Sequence, residues 1–168
     1  MSDELSLKIK NAIQESLELK KLVLHQKLYK VLVEMGELVV KSILNGGKVL
    51  ICGNGGSAAD AQHLVAEFLI RLTSEVNREG IPAISLLQDS STFTAAINDF
   101  DPKDLFKRNL QTLAKPEDIL LAISTSGDSE NIVQVLRTAK EIDVKTLGFL
   151  GSDGGDSLQY CDLSFIVP

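Results

Sequence analysis

At 168 residues and 44% hydrophobic, with 23 acidic against 17 basic side chains, the chain has room for one domain with a substantial core and carries a net charge of −6. That composition excludes a disordered or low-complexity polymer, and the acidic balance without any basic run argues against a nucleic-acid surface. No apolar stretch approaches the roughly 20 residues of a membrane span, Met1-Ser2-Asp3-Glu4 is not a secretory signal, and Cys52 and Cys161 stand singly, so the cytoplasm is the expected compartment.

The chain reads as helical first and alternating afterwards. Over residues 6–44, apolar side chains such as Leu28, Leu32, Met35, Val39 and Ile43 recur at helical spacing, with a break near 24–28. His25, inside this stretch, reads as a solvated or packing residue. Asn45-Gly46-Gly47 is a left-handed helix stop, and residues 48–52 form the first strand. Cys52, at the end of that strand, reads as small apolar filler rather than a reactive thiol. A helix over 57–72 follows, then a strand over 81–87 with Pro82 near its start, where a ladder tolerates it. Helices are expected over 92–97 and 105–113, a third strand over 118–123, and a helix over 130–142. A fourth strand over 146–150, a short helix or turn over 153–159 and a fifth strand over 163–167 complete the series. Strands and helices alternating at this length imply right-handed crossovers and a five-stranded parallel sheet covered on both faces. The expectation is an α/β fold in a single domain over 1–168, with 1–45 a helical segment and 46–168 the α/β core.

Two Ser/Gly-rich loops, each between an apolar strand and a helix, hold the chemistry. The first is Gly53-Asn54-Gly55-Gly56-Ser57 and the second is Ser124-Thr125-Ser126-Gly127-Asp128-Ser129. A strand that stops in such a loop and restarts as a helix leaves backbone N–H groups aimed into one pocket, at the positive end of the helix dipole. Glycines allow close backbone approach, while Asn54 and Ser57 offer directed hydrogen bonds. One such loop alone is also what a tight turn with Ser57 as N-cap looks like. Two at the carboxyl ends of strands point to a phosphate, because that rim is where open α/β sheets bind ligands. Neither loop is G-x-G-x-x-G and no Walker lysine follows, so no nucleotide cofactor is expected.

His63 and Glu67, four apart, project from one face of the helix after the first loop, read as a turn or so beyond it. That pair suits either two metal ligands, where zinc needs at least three from protein, or a general base beside a helper. A surface pair is the plain alternative. Gln88-Asp89-Ser90-Ser91 falls on the same rim, and Asn98-Asp99, after the short helix, can fold back towards the pocket. Asx turns and helix caps account for both patches equally well. Arg71, a turn beyond Glu67, suits a phosphate contact, an interface or a surface ion pair.

Together these residues resemble a known family. Cys52-Gly53-Asn54-Gly55-Gly56-Ser57-Ala58-Ala59-Asp60-Ala61-Gln62-His63, with Glu67 and Arg71 in step, is similar to the signature of the sedoheptulose-7-phosphate isomerases, or phosphoheptose isomerases. Asn98-Asp99, the segment from Ile123 to Ser129, and Asp153-Gly154-Gly155 match later family segments in order, and the resemblance runs from about Val31 to Pro168. It implies a three-layer, flavodoxin-like sugar-isomerase (SIS) fold, a homotetramer with active sites between subunits, and conversion of sedoheptulose 7-phosphate to D-glycero-D-manno-heptose 7-phosphate for bacterial lipopolysaccharide. By the same resemblance Ser124, Thr125, Ser126 and Ser129 hold the phosphate. Asn54, Gly55, Gly56 and Ser57 meet the sugar, with Asn98 and Asp99 adding contacts. Glu67 is the base that moves a proton between C1 and C2, and His63 and Glu67 are zinc ligands in members that bind zinc.

In the family a further helix with an Arg-Ile-Gln-Glu motif and a downstream histidine follows the last strand, and that histidine is the partner acid/base. Neither His25 nor His63 matches it, so the expectation is a piece of a longer enzyme, favoured by the intact Glu67, or a naturally short relative. Two other classes compete: a tetrameric adaptor of the DnaA initiator-associating type, and a sugar-phosphate sensor. In the adaptor the second paired glycine and the glutamate are replaced, so Gly56 and Glu67 side with the isomerase.

Overall fold

Two helices lead the chain in the computed structural model, which describes residues 2–87 and 89–168. These are α1 (Ser2–His25) and α2 (Tyr29–Leu44), broken where expected. Gly46 takes the left-handed φ of +82° that stops α2, and the N–H groups of Gly46 and Gly47 donate back to the carbonyls of Ile43 and Ser42. Gln88 lies outside the described residues.

Five strands follow: β1 (Val49–Gly53), β2 (Ala83–Ser85), β3 (Ile119–Ser124), β4 (Lys145–Gly151) and β5 (Leu163–Val167). They form one sheet in the order β2-β1-β3-β4-β5, every pair parallel. All five residues of β1 are buried, as a strand covered on both faces requires. The pleat divides the apolar residues between two cores. Val49, Ile51, Leu121 and Leu147 face α2 and α3 (Gly56–Leu69), meeting Met35 and Ala61. Leu50, Cys52, Leu120 and Ala122 face the other way, onto Phe106 and Leu110 of α5 (Leu105–Leu113) and Ile132 and Leu136 of α6 (Glu130–Glu141). A further helix, α4 (Ser90–Asp99), lies between β2 and α5 in the chain. The result is the expected three-layer α/β sandwich with the flavodoxin-like strand order.

Several boundaries differ from expectation. The helix after the first loop ends at Leu69 rather than 72, so Arg71 lies in exposed coil and not on a helical face with Glu67. β2 keeps only three of the seven expected residues, because only Ala83–Ser85 pair with β1. α4 is longer than expected and takes in Asn98 and Asp99. Cys52 is fully buried, which pushes its thiol well above the ordinary range and leaves it inert filler, as expected.

Two carboxylates pin the sheet, Asp118 buried and Asp162 half-buried. Asp118 accepts from the backbone N–H of Lys48 and of Lys115 and pairs with the Lys48 ammonium, joining the starts of β1 and β3. Asp162 accepts from Lys140 Nζ at 2.7 Å, from the Thr146 N–H at 2.8 Å and from its hydroxyl at 2.9 Å, locking the entry to β5 against β4. Burial alone raises the Asp162 carboxyl, but the Lys140 ammonium and the Thr146 bonds outweigh it and hold it at about 2. An unfolded aspartate titrates at about 3.9, so the stability Asp162 supplies is fully present above that value and is lost as pH falls towards 2. The expected result is that Asp162→Asn melts a few degrees below the parent at pH 7, and that thermal scans at falling pH bring the two curves together near pH 2.

Candidate active site

β1 and β3 lie side by side, yet the chain leaves β1 towards one face of the sheet, into α3, and leaves β3 towards the other, into α6. Adjacent strands whose connections depart to opposite faces open a crevice at their carboxyl ends. Both Ser/Gly-rich loops arise there.

The second loop is a built cradle. Ser124, at the end of β3, is buried, and its Oγ accepts from the Gly127 N–H at 3.1 Å, while Ser126 Oγ accepts from the Asp128 N–H at 3.2 Å. Gly127 has φ +73°, and a Cβ there would overlap the carbonyl oxygen of Gly154. Gly155, at φ +53°, presses as closely on Asp128, whose Oδ1 accepts from the Asp156 N–H at 2.9 Å. Ser157 closes the contact from below, donating its N–H and hydroxyl to the Gly127 carbonyl. Asp153-Gly154-Gly155 is therefore the buttress of the loop. Thr125 and Ser126 are exposed, and Ser129 sits at the N-cap of α6 without using its hydroxyl as a cap. Hydroxyls and helix N-terminal amides thus converge at one place, which suits an anion.

In the first loop Gly55, at φ +54°, is the N-cap of α3, and the helix begins at Gly56. Ser57 is already inside the helix, so it is not the capping residue of a simple turn. A Cβ on Gly53 would come 2.6 Å from the Ser57 carbonyl oxygen, which is why the strand ends in glycine. The Asn54 amide is engaged with Asn131, the second residue of α6, by two hydrogen bonds of 2.9 Å. The third patch is partly capping. Asp89 is the N-cap of α4, accepting from the N–H and hydroxyl of Thr92, each at 2.8 Å. Those bonds hold its carboxyl below the usual carboxylate range. Asn98 and Asp99 do not follow a helix but form its last turn. Both are exposed and joined to each other at 2.7 Å.

Glu67 is not a turn or so beyond the first loop. It is eleven residues past Gly56 in a continuous helix, about 16 Å along the axis at 1.5 Å per residue. The neighbouring Phe68 carbonyl accepts from the Ile81 N–H at 2.9 Å, and Pro82 in turn accepts from Val49 at the first residue of β1. The end of α3 thus lies beside the starts of β1 and β2, at the opposite rim from the two Ser/Gly-rich loops. His63 Nε2 is 3.4 Å from Glu67 Oε1, with His63 74% exposed and Glu67 24%. Glu67 Oε2 is buried and has no hydrogen-bond partner among the described residues. Arg78, which carried no sequence signal, donates to the carbonyls of Glu67 (2.6 Å), Phe68 (2.8 Å) and Glu79 (2.9 Å), satisfying the end of α3.

Comparison with known proteins agrees with this architecture. The SIS domain family matches residues 13–151. A phosphoheptose isomerase of Chlorobaculum parvum is 48% identical over 138 residues, covering 82% of this chain and 66% of its own length. One of Clostridium acetobutylicum is 43% identical over 161 residues, covering 95% of this chain and 81% of that one. The solved phosphoheptose isomerase GmhA of Neisseria gonorrhoeae superposes with a TM-score of 0.88 at 34% identity, over 98% of this chain and 86% of that one.

Proposed function

The chain belongs to the phosphoheptose isomerase family of SIS-domain proteins, and on that premise we propose that it interconverts sedoheptulose 7-phosphate and D-glycero-D-manno-heptose 7-phosphate. The adaptor and sensor readings are not favoured beside relatives of that name. The phosphate sits against Ser124, Thr125, Ser126 and Ser129, held by hydroxyls and amides of a loop that itself carries no lysine. Asn54, Gly55, Gly56 and Ser57 face the sugar chain, with Asn98 and Asp99 completing it.

Isomerisation moves one proton. A base takes it from C1 of the ketose while the C2 carbonyl oxygen gains a proton to give the enediol; the carbon proton then returns at C2 as O1 gives up its own, leaving a hydroxyl at C2 and the aldehyde at C1. Glu67 is that base, and the observation that carries the assignment is its buried, unpartnered Oε2. A carboxylate oxygen kept from water without a donor costs free energy unless a ligand completes it. His63 and Glu67 present two donors on one helix face, which fits part of a zinc site whose remaining ligands lie outside the described residues of one chain. Bound there, zinc supplies Lewis-acid polarisation of the sugar oxygens.

A seven-carbon sugar phosphate spans only about 9 Å from C2 to phosphorus at ordinary bond lengths. It does not bridge the two rims of one chain, so the working site takes its phosphate cradle from one copy and Glu67 from another. A homotetramer supplies such junctions. The stripe Leu5, Ile9, Ile13 and Leu17 along α1, 49–63% exposed, is an apolar face of the kind a second copy covers. No helix among the described residues is long and apolar enough to cross a membrane, and the cytoplasm is where this reading puts the protein.

The experiment is solvent-deuterium incorporation into sedoheptulose 7-phosphate, followed by NMR. Label at C1 of the ketose and C2 of the aldose is the expected result. Binding of the sugar phosphate with no label at either carbon would overturn the isomerase assignment.

A further inference from the structure

The two loops of the crevice are joined by residues 77 apart in the chain. Asn54 Nδ2 donates to Asn131 Oδ1, and Asn131 Nδ2 donates to Asn54 Oδ1, both at 2.9 Å. A carboxamide pair closed in this way fixes both amide planes and leaves each amide one further N–H and one further acceptor site. Asn131 belongs to the first turn of α6, directly behind the phosphate cradle, while Asn54 stands between Gly53 and the left-handed Gly55. A side chain on so permissive a stretch of backbone has many orientations unless something holds it.

We propose that Asn131 is a positioning residue: it clasps Asn54 in one orientation over the crevice, so that sugar chain and phosphate meet a single preorganised frame. The inference rests on the functional reading above, in which residues 124–129 take the phosphate and Asn54 meets the sugar. Both amides lie at the surface, so the two bonds add little to folding stability. Their effect falls on binding, because a contact group already held in place loses no further rotational freedom when the ligand arrives. An incidental surface contact predicts the opposite, namely no effect on the ligand at all.

The test is a double-mutant cycle on the full chain, read by calorimetric titration with sedoheptulose 7-phosphate and, separately, with inorganic phosphate. Asn131→Ala is expected to weaken sugar-phosphate binding about five- to tenfold in the parent, but less than about twofold when Asn54 is already alanine. Inorganic phosphate binding stays within about twofold throughout, and Asn131→Ala raises KM with kcat little changed. Asn131→Ser, which keeps a small polar side chain but cannot close the amide pair, gives the same pattern and guards against a poorly folded alanine variant. Equal losses in both backgrounds, or none in either, would overturn the clasp. A parent that binds inorganic phosphate but not the sugar would overturn the functional reading, and the clasp with it.

Discussion

Glu67→Gln is expected to lower isomerisation by about a thousandfold while leaving phosphate binding essentially intact, the range typical of a lost general base. The substitution keeps the shape of the side chain and its place beside His63, and it removes the one property the reaction needs, a carboxylate basic enough to take the C1 proton. It also leaves the site no worse paired, since Glu67 Oε2 already has no partner among the described residues while Oε1 keeps His63 beside it. Stability should therefore hold or rise slightly, and a melting curve at least as high as the parent's separates lost chemistry from lost fold. The measurement pairs initial rates with titration of inorganic phosphate. Retained turnover would place the base elsewhere, and lost phosphate binding would mean that the two rims depend on each other within one chain.

The parts of this molecule legible in its sequence were those governed by local rules. Strand β1 announces itself as Val49 to Cys52, an apolar run closed by glycines, and α2 through a helical stripe ending at Asn45-Gly46-Gly47. The cradle at Ser124–Ser129 was legible because hydroxyls and a glycine between a strand and a helix leave the backbone little else to do. The family resemblance added its buttress at Gly154 and Gly155, whose close approach to Gly127 and Asp128 gives that resemblance a physical cause.

What the sequence left obscure depended on length and on neighbours. Placing Glu67 near the first loop treated a four-residue offset from His63 as closeness to Gly56, whereas helical rise over eleven residues carries it to the other rim. The early end of α3 at Leu69 follows from a tertiary contact, the Arg78 guanidinium on the last carbonyls, which no local signal near residue 70 foretells. Asn131 was equally hidden. Its pairing with Asn54 requires β1 and β3 to be neighbours, a fact of strand order and not of spacing.

In the proposed site one copy supplies the phosphate cradle and another supplies Glu67, so two inactive variants should rescue each other when mixed. Ser126→Asp places a carboxylate where the phosphate would lie, at an exposed position where the new oxygens can still accept from the Asp128 N–H, and Glu67→Gln removes the base. Each alone is expected to be inactive. Co-expressed in equal amounts, they assemble oligomers in which some junctions pair an intact cradle with an intact Glu67. Random association with one specific neighbour makes that fraction about a quarter, so the mixture should recover about a quarter of the parent's isomerase rate. A mixture as inactive as its two components would mean that cradle and base act within the same chain, and a site shared between copies would be ruled out.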